Sequence, residues 1–268
     1  TVFSQMAAEI LNMDISDVHI QTVQDTDVTP FDTGAYASRQ SFVTGTVVKD
    51  CANLLKEKIL AYAKELLPEE TRKLRLDHGW IMAGKDPAIS LGNLALESYY
   101  SLGNSSVITA EVSEQVKKNT IATGCCFAEV DIKLGKIKIL HIINVHDSGK
   151  LINPKLAEMQ VQGGMSMGIG YGLSEQLILD EKTGRPLNGT LLDYKLMTMM
   201  DTPDIKADFV ELDDPIGPFG NKALGEPPAI PGAPAIRNAV LHATGVAFNE
   251  NPLTPQRLIY GFIKAGLI

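Results

Sequence analysis

The chain has 268 residues, 44% of them hydrophobic and 21% charged, which is enough apolar material for a buried core and too much for wholesale disorder. Its 32 acidic residues outnumber 24 basic ones, for a net charge of −8, and no basic stripe is offered to a phosphate backbone, so nucleic acid is not an expected partner. Three cysteines, two of them adjacent (Cys125 and Cys126), suit neither a disulfide framework nor metal-ligand spacing, and a reducing, cytoplasmic setting is the expectation.

Val2, Phe3, Met6, Ala7, Ile10 and Leu11 are at helical spacing and predict a helix to about Asn12. That pattern is already running at Val2-Phe3 and Thr1 stands where an initiator Met would, so a piece of a longer protein is expected. Residues 18–23 alternate as a strand does. A loop of Thr, Asp, Pro and Gly from Asp25 to Ala37 leads into a second helix. The expected buried stripe of that helix is Val47, Val48, Cys51, Leu54, Leu55, Ile59 and Ala63, and it stops before Pro68. From Pro68 to Asn119 charges and prolines break up the apolar pieces and the pattern is weak, with His78 and Trp80 lacking a recognisable partner. A division of the chain is expected near residues 105–120.

Residues 128–132 and 136–140 alternate about Leu134-Gly135, a hairpin signal. Asn153 reads as a helix cap with Pro154 at the first helical position. Gly164, Gly168 and Gly172 then form one bare helix face, and since each glycine costs a helix about 1 kcal/mol against alanine, another helix or a ligand must approach that face closely. The apolar run from Met159 to Leu173 is interrupted by Gln160 and Gln162 and too short to span a membrane, and no signal-peptide pattern is seen. Leu191 to Met200 reads as a strand, with Met197, Met199 and Met200 as core filler. Asp201 to Asp214 leads into a Pro/Gly-rich loop from Pro215 to Pro234. A helix with Ile236, Ala239, Val240 and Ala243 on one side closes at Gly245, and a last helix begins after Thr254-Pro255. Strands and helices mix without strict alternation, which predicts an α+β fold.

Most chemical candidates fail on geometry. Consecutive His146-Asp147-Ser148 cannot aim three side chains at one another as a nucleophile triad. Gly168-Ile169-Gly170-Tyr171-Gly172 follows no strand and has the wrong spacing for a dinucleotide loop. Gly220-Asn221-Lys222 lacks the residues of a phosphate loop, and the five histidines show no metal-ligand spacing. Two stretches remain. Thr29-Pro30 through Gly34 to Ala37-Ser38-Arg39 enters a helix and offers N–H groups and hydroxyls to an anion, or is an ordinary capped helix start. In Lys222-Ala223-Leu224-Gly225-Glu226-Pro227-Pro228 a single carboxylate is held between glycine and two prolines, which suits a general base, or equally a surface Glu that fits a turn.

In order and separation these two stretches resemble the molybdenum-binding subunit of the xanthine dehydrogenase/aldehyde oxidase family of molybdenum hydroxylases. The similarity continues through His146-Asp147-Ser148-Gly149, Ile152-Asn153-Pro154, Gln162-Gly163-Gly164 with Gly168-Ile169-Gly170-Tyr171, and Leu192-Asp193-Tyr194-Lys195. The resemblance implies a molybdenum–molybdopterin cofactor whose metal is held by the pterin dithiolene, with no protein side chain as metal ligand. It implies Glu226 as the catalytic base, and Ala37, Ser38, Arg39, Gln162, Gly163, Gly164 and Gly168 as cofactor-binding residues. Met167 stands where the family often has a glutamine. It further implies oxidative hydroxylation of a purine or related N-heterocycle, or of an aldehyde, with water as the oxygen source and purines preferred on the Thr33–Arg39 loop. Iron–sulfur clusters and FAD are expected on other subunits or domains, and a Gly-Gln-Gly motif and substrate clamps in an N-terminal part of the same subunit preceding this chain. Residues 1–110 would be a first, N-terminally truncated molybdopterin-binding subdomain and 111–268 a second, carrying the Glu226 loop. A non-catalytic binding or assembly module that keeps the fold is the competing expectation.

Overall fold

The computed structural model describes residues 1–22, 25–27, 29, 31–101, 108–112, 120–133 and 135–268. As expected, the fold is α+β. It comprises two compact units, Thr1–Asn119 with Ile216–Phe219, and Thr120–Pro215 with Gly220–Ile268. Most of the stretch in which a division is expected, residues 105–120, lies outside the described residues, as do Val23, Pro30 and Leu134 of the patterns above.

In the first unit, helix α1 (Val2–Leu11) ends on Asn12, whose left-handed backbone (φ 50°) lets its N–H reach the carbonyls of Ala8 and Glu9. A wide turn of π-helix, Gln40–Thr44, opens helix α2 (Gly45–Leu66), which stops before Pro68 as expected. Its buried line is Gly45, Ala52, Ile59 and Ala63, whereas Val47, Val48, Cys51, Leu54 and Leu55 of the expected stripe are only half-buried. Small residues on that line let a neighbour approach: a Cβ at Gly45 would lie 3.0 Å from the terminal methyl of Met6 on α1. The weakly patterned region holds an antiparallel meander, β1 (Leu74–Asp77), β2 (Trp80–Ala83) and β3 (Asp86–Ser90), followed by α3 (Leu91–Ser101). A two-residue turn at His78-Gly79, both with positive φ, links β1 to β2. Leu11, Ile59, Ala63, Leu76, Ile81 and Leu94 form this unit's core. The strand expected over 18–23 is not formed at residues 18–22, which are exposed apart from half-buried Val18; alternation alone makes no strand without a neighbour to complete its hydrogen bonds.

The second unit is a three-stranded mixed sheet covered on one face by helices. Strands β4 (Thr123–Lys133) and β5 (Lys136–Asp147) form the expected hairpin, Lys133 facing Lys136 across a turn that uses Gly135 at φ 76°. Helix α4 (Pro154–Leu173) starts where expected: the Asn153 side chain accepts from the N–H of Leu156 at 3.0 Å and Pro154 opens the first turn. It crosses to β6 (Ile205–Val210), which pairs parallel to β5 with Ile142 facing Ile205. Helices α5 (Gly232–Thr244), closed by Gly245 at φ 72°, and α6 (Pro255–Lys264), capped by the Thr254 hydroxyl, complete the layer. Ile139 and Ile142 of β5, Val161, Met165 and Ile169 of α4, Ile236 and Val240 of α5, and Leu258 and Phe262 of α6 interlock as the core. None of the helices among the described residues is long and apolar enough to cross a membrane.

Residues 191–200 do not form the expected strand. They run in turns tied by Thr190 to Asp193 (3.0 Å) and Thr198 to Asp201 (2.6 Å), hydroxyl to carboxylate, in place of sheet bonds. Met197 does pack against the core, but Met199 and Met200 are 95% and 94% exposed and fill nothing. The strand lies a few residues later, in β6, within a stretch expected only to connect.

Candidate functional site

Three of the sequence motifs, far apart in the chain, meet in the second unit around one loop. Residues 222–228 enter it from the sheet side: Ala223 bridges to Ile121 and is fully buried, and its N–H donates to the Thr120 carbonyl at 2.8 Å. Lys222 sends its ammonium to the Asp147 carboxylate at 2.5 Å, while its N–H donates to the Ser148 carbonyl at 2.8 Å. Burial pushes the Asp147 carboxyl up, but the bonds from Lys222 and from the N–H groups of Gly149 and Leu212 outweigh it and hold it below the usual carboxylate value. Only glycine fits at position 149, since its φ is 62° and a Cβ there would sit 2.2 Å from the Gly220 carbonyl oxygen. Asp147 is therefore spent on anchoring Lys222, and His146-Asp147-Ser148 do not assemble as a triad.

Beyond Lys222 the loop turns over the start of α4's bare face. Pro227 and Pro228 are buried and begin a single 3-10 turn, Pro227–Ala229, with Glu226 at its head. The Gln160 side-chain amide donates to the Gly225 carbonyl at 2.6 Å, and the Asn144 amide to the Pro228 carbonyl at 3.2 Å. A Cβ at Gly164 would lie 2.7 Å from the Cβ of Pro228, and one at Gly168 would lie 2.5 Å from the Ala229 carbonyl oxygen. Gly172 faces Ala233 of α5 at 3.3 Å. What approaches the glycine row is thus the Glu226 loop and the helix after it. The four-residue spacing that signals a close approach is satisfied by this chain's own backbone. Gly163, one position round the helix, has open space beside it, and Gln162, half-buried, donates to Glu158 at 3.3 Å. Met167 is 68% exposed. Glu226 itself is exposed, and the apolar surroundings that would mark a buried carboxylic acid are not supplied by the residues of this unit.

The strand that supports the loop is polar where its partners are apolar. Asn144, His146 and Ser148 follow Ile142 at every second position and are all buried. The Asn144 side-chain oxygen, both ring nitrogens of His146, the Ser148 hydroxyl and the Asn221 side-chain oxygen meet no hydrogen-bond partner among the described residues. The His146 ring lies against Gly124, where a Cβ would come within 2.4 Å of Nδ1. Burial lowers the His146 pKa from 6.5, so the folded chain keeps the imidazole neutral. In the unfolded chain the ring takes up a proton as pH falls below about 6.5. This contribution to stability is therefore complete above that pH and lost below it, at a slope of at most ~1.4 kcal/mol per pH unit. Urea unfolding of the 268-residue chain between pH 7.5 and 5 is expected to show the decline, and His146→Leu to flatten it. An unchanged slope in that variant would assign the pH dependence elsewhere. On the neighbouring strand, burial, with adjacent Cys125, pushes the Cys126 thiol up to about 12, which leaves it without nucleophilic character.

The other predicted stretch belongs to the first unit. Asp32 accepts from the N–H of Gly34 at 2.5 Å and from the Arg39 guanidinium at 3.2 Å, and Arg39 also donates to the Thr33 hydroxyl and the Gly34 carbonyl, both at 3.3 Å. The same guanidinium lies over the Tyr36 ring at 5.5 Å. Inside this clamp Ala37 and Ser38 both adopt left-handed backbone, φ 51° and 56°. Two consecutive non-glycine residues in that region are a strained arrangement of the kind found at ligand-binding turns. The turn is followed by the π-helical start of the α2 segment. Among the described residues no group of three or more His, Cys, Asp or Glu is placed to hold a metal ion.

Sequence reasoning identifies the loop but not its supports, Asn144, Gln160 and Asp147. The available signal is Asn144: a polar residue at a core-facing position of an alternating strand needs a partner, and that partner is the loop.

Residues 1–203 match the model of the molybdopterin cofactor-binding domain family. The chain is 50% identical over its whole length to the xanthine dehydrogenase molybdenum-binding subunit of Escherichia coli O157:H7, of which it spans 36%. It is 26% identical to the nicotine 6-hydroxylase large subunit of Paenarthrobacter nicotinovorans, with 97% of this chain and 33% of that protein covered. The structure of quinoline 2-oxidoreductase from Pseudomonas putida 86 superposes with a TM-score of 0.84 at 27% identity, covering 98% of this chain and 35% of that one. The chain thus spans about a third of the length of these relatives.

Proposed function

Since the chain belongs to the molybdopterin cofactor-binding domain family, we propose that it works as part of a molybdenum hydroxylase of the xanthine dehydrogenase type. The substrate is a purine or related N-heterocycle, hydroxylated at a carbon beside a ring nitrogen with water as the oxygen source. The observation that carries this reading is the convergence of residues 146–149, 160–168 and 222–228 on one supported loop that presents Glu226. Half of the residues are shared with a xanthine dehydrogenase subunit, and two more distant relatives are named for other N-heterocycles, nicotine and quinoline.

The residues present fit a pterin-held molybdenum. In the first unit the left-handed Ala37-Ser38 turn, braced by Arg39, is a compact turn of small residues, and in the second Gln162 with the open space at Gly163 offers an amide and bare backbone. Each of these residues, in its own unit, would contact the cofactor, while Gly164 and Gly168 act by seating the loop. The bound cofactor supplies the two-electron redox chemistry that a side chain cannot. Glu226 would take up the proton that the water-derived oxygen gives up as a C–O bond replaces a C–H bond of the substrate, whose two electrons are those the bound cofactor would accept; holding that proton is general-base work. Its exposure in this chain fits a carboxylate that faces substrate contributed to by the rest of the subunit. Iron–sulfur and flavin subunits would carry the electrons away, and an N-terminal part of the same subunit would complete the substrate pocket.

The full-length, cofactor-loaded enzyme, assayed with hypoxanthine, xanthine and an aromatic aldehyde in ¹⁸O-labelled water, is expected to turn over a purine fastest and to place the label in the product. A clear preference for the aldehyde would move the reading to an aldehyde oxidoreductase. No turnover of any of them would favour a binding or assembly module.

A further inference from the structure

The Glu226 loop has an unusual way of being held. Pro227 and Pro228 carry no N–H, so these two residues cannot donate to a neighbour through their backbone and offer it only carbonyl oxygens. Of the four carbonyls around the carboxylate, those of Glu226 and Pro227 are consumed inside the turn, by the N–H groups of Ala229 (3.0 Å) and Ile230 (3.3 Å). The two that flank it, Gly225 and Pro228, are each met by a side-chain amide from a rigid element, Gln160 on α4 at 2.6 Å and Asn144 on β5 at 3.2 Å. A carbonyl only accepts, so the amide nitrogen of Asn144 must be the atom facing Pro228. The same nitrogen lies 2.7 Å from the Met165 sulfur, and the side chain is fully buried. From below, the absent side chains of Gly164 and Gly168 leave room for only Pro228 and Ala229.

We infer that Asn144 and Gln160 are positioning residues of this reaction: by gripping the carbonyls on either side of Glu226 they set where its carboxylate stands. The inference rests on the reading of Glu226 as the base. Each acts through the loop. Displacing a catalytic group by about 1 Å can cost on the order of 100-fold in rate, so loss of one grip lowers kcat by about 10- to 100-fold and leaves KM within about twofold.

The test is a double-mutant cycle in the full-length, cofactor-loaded enzyme. Gln160 is exposed, so Gln160→Leu threatens the fold little, and it is the deciding variant. Asn144→Leu is the second. Gln160→Lys, which restores a donor of similar reach, is the rescue. The expected result is a 10- to 100-fold fall in kcat for Gln160→Leu, unchanged molybdenum content, recovery of most of the loss by Gln160→Lys, and less than twofold further loss when Gln160→Leu is added to Glu226→Gln. A merely structural role would give equal losses in both backgrounds, and that result, or no loss at all, overturns the inference. If Glu226→Gln alone leaves turnover near normal, the base assignment fails and this inference falls with it. If Glu226→Gln is crippled but Gln160→Leu is not, only this inference fails.

Discussion

Exchanging Glu226 for Gln in the full-length, cofactor-loaded enzyme is expected to lower turnover by about 10²- to 10⁴-fold, the usual contribution of a positioned general base. The molybdenum content should stay at the wild-type level. The reason lies in how the loop is fixed. Its anchors are the Lys222–Asp147 ion pair, the carbonyls of Gly225 and Pro228, and the packing of Pro228 and Ala229 on two glycines. The anchors run through neighbouring residues, and Gln has the shape of Glu. The exchange therefore removes the proton acceptor and leaves those anchors in place. Steady-state kinetics with metal analysis on the same preparation separates the two effects. Loss of molybdenum together with activity would show that Glu226 serves cofactor retention instead.

Gly168→Ala is expected to be severe in a different way. The added methyl would sit 2.5 Å from the Ala229 carbonyl oxygen, a backbone atom that cannot swing aside as a side chain could. Overpacking of this kind costs about 1–3 kcal/mol, and the strain falls on the turn that starts at Glu226. Thermal unfolding should show a lowered Tm, and the full-length enzyme should lose turnover by more than the stability loss explains. Gly163→Ala is the control for stability. Nothing lies within 4 Å of its added methyl, and alanine favours a helix by up to about 1 kcal/mol over glycine, so the Tm should rise. Equal effects of the two substitutions would mean that the glycine row is not what seats the loop.

The parts of the fold that announce themselves locally were legible. Alternation on both sides of Gly135 marks the β4–β5 hairpin, and Asn153-Pro154, Thr254-Pro255 and Gly245 mark helix ends through capping chemistry that needs no distant partner. Where the outcome depends on partners, the pattern misleads. Residues 18–22 alternate but form no strand, while the short strands β1 to β3 carry too little periodicity and are organised by their turns at His78-Gly79 and Gly84. Strand β6 is camouflaged by Lys206 and Asp208 on its outward face, whereas the apolar run of residues 191–200 stays in turns because hydroxyl–carboxylate bonds close it.

The candidate site divides in the same manner. Glu226 stands out because glycine and two prolines enclose it. Its supports do not: Gln160 lies 65 residues from Gly225 and Asn144 lies 84 from Pro228, and only folding brings each pair together. The bare face at Gly164, Gly168 and Gly172 was legible as a place of close approach, though not what approaches it, because the loop that fills it comes from far along the chain.

The most direct test of the central claim is kcat/KM for the full-length enzyme and its Glu226→Gln and Glu226→Asp variants, measured on one purine substrate under one set of conditions. The Glu226→Gln variant is expected to fall by about 10²- to 10⁴-fold, and Glu226→Asp, which keeps a proton acceptor, to retain clearly more activity than Gln. A Glu226→Gln variant with a near-normal rate would show that another group takes the proton, and that the supported loop serves some other purpose.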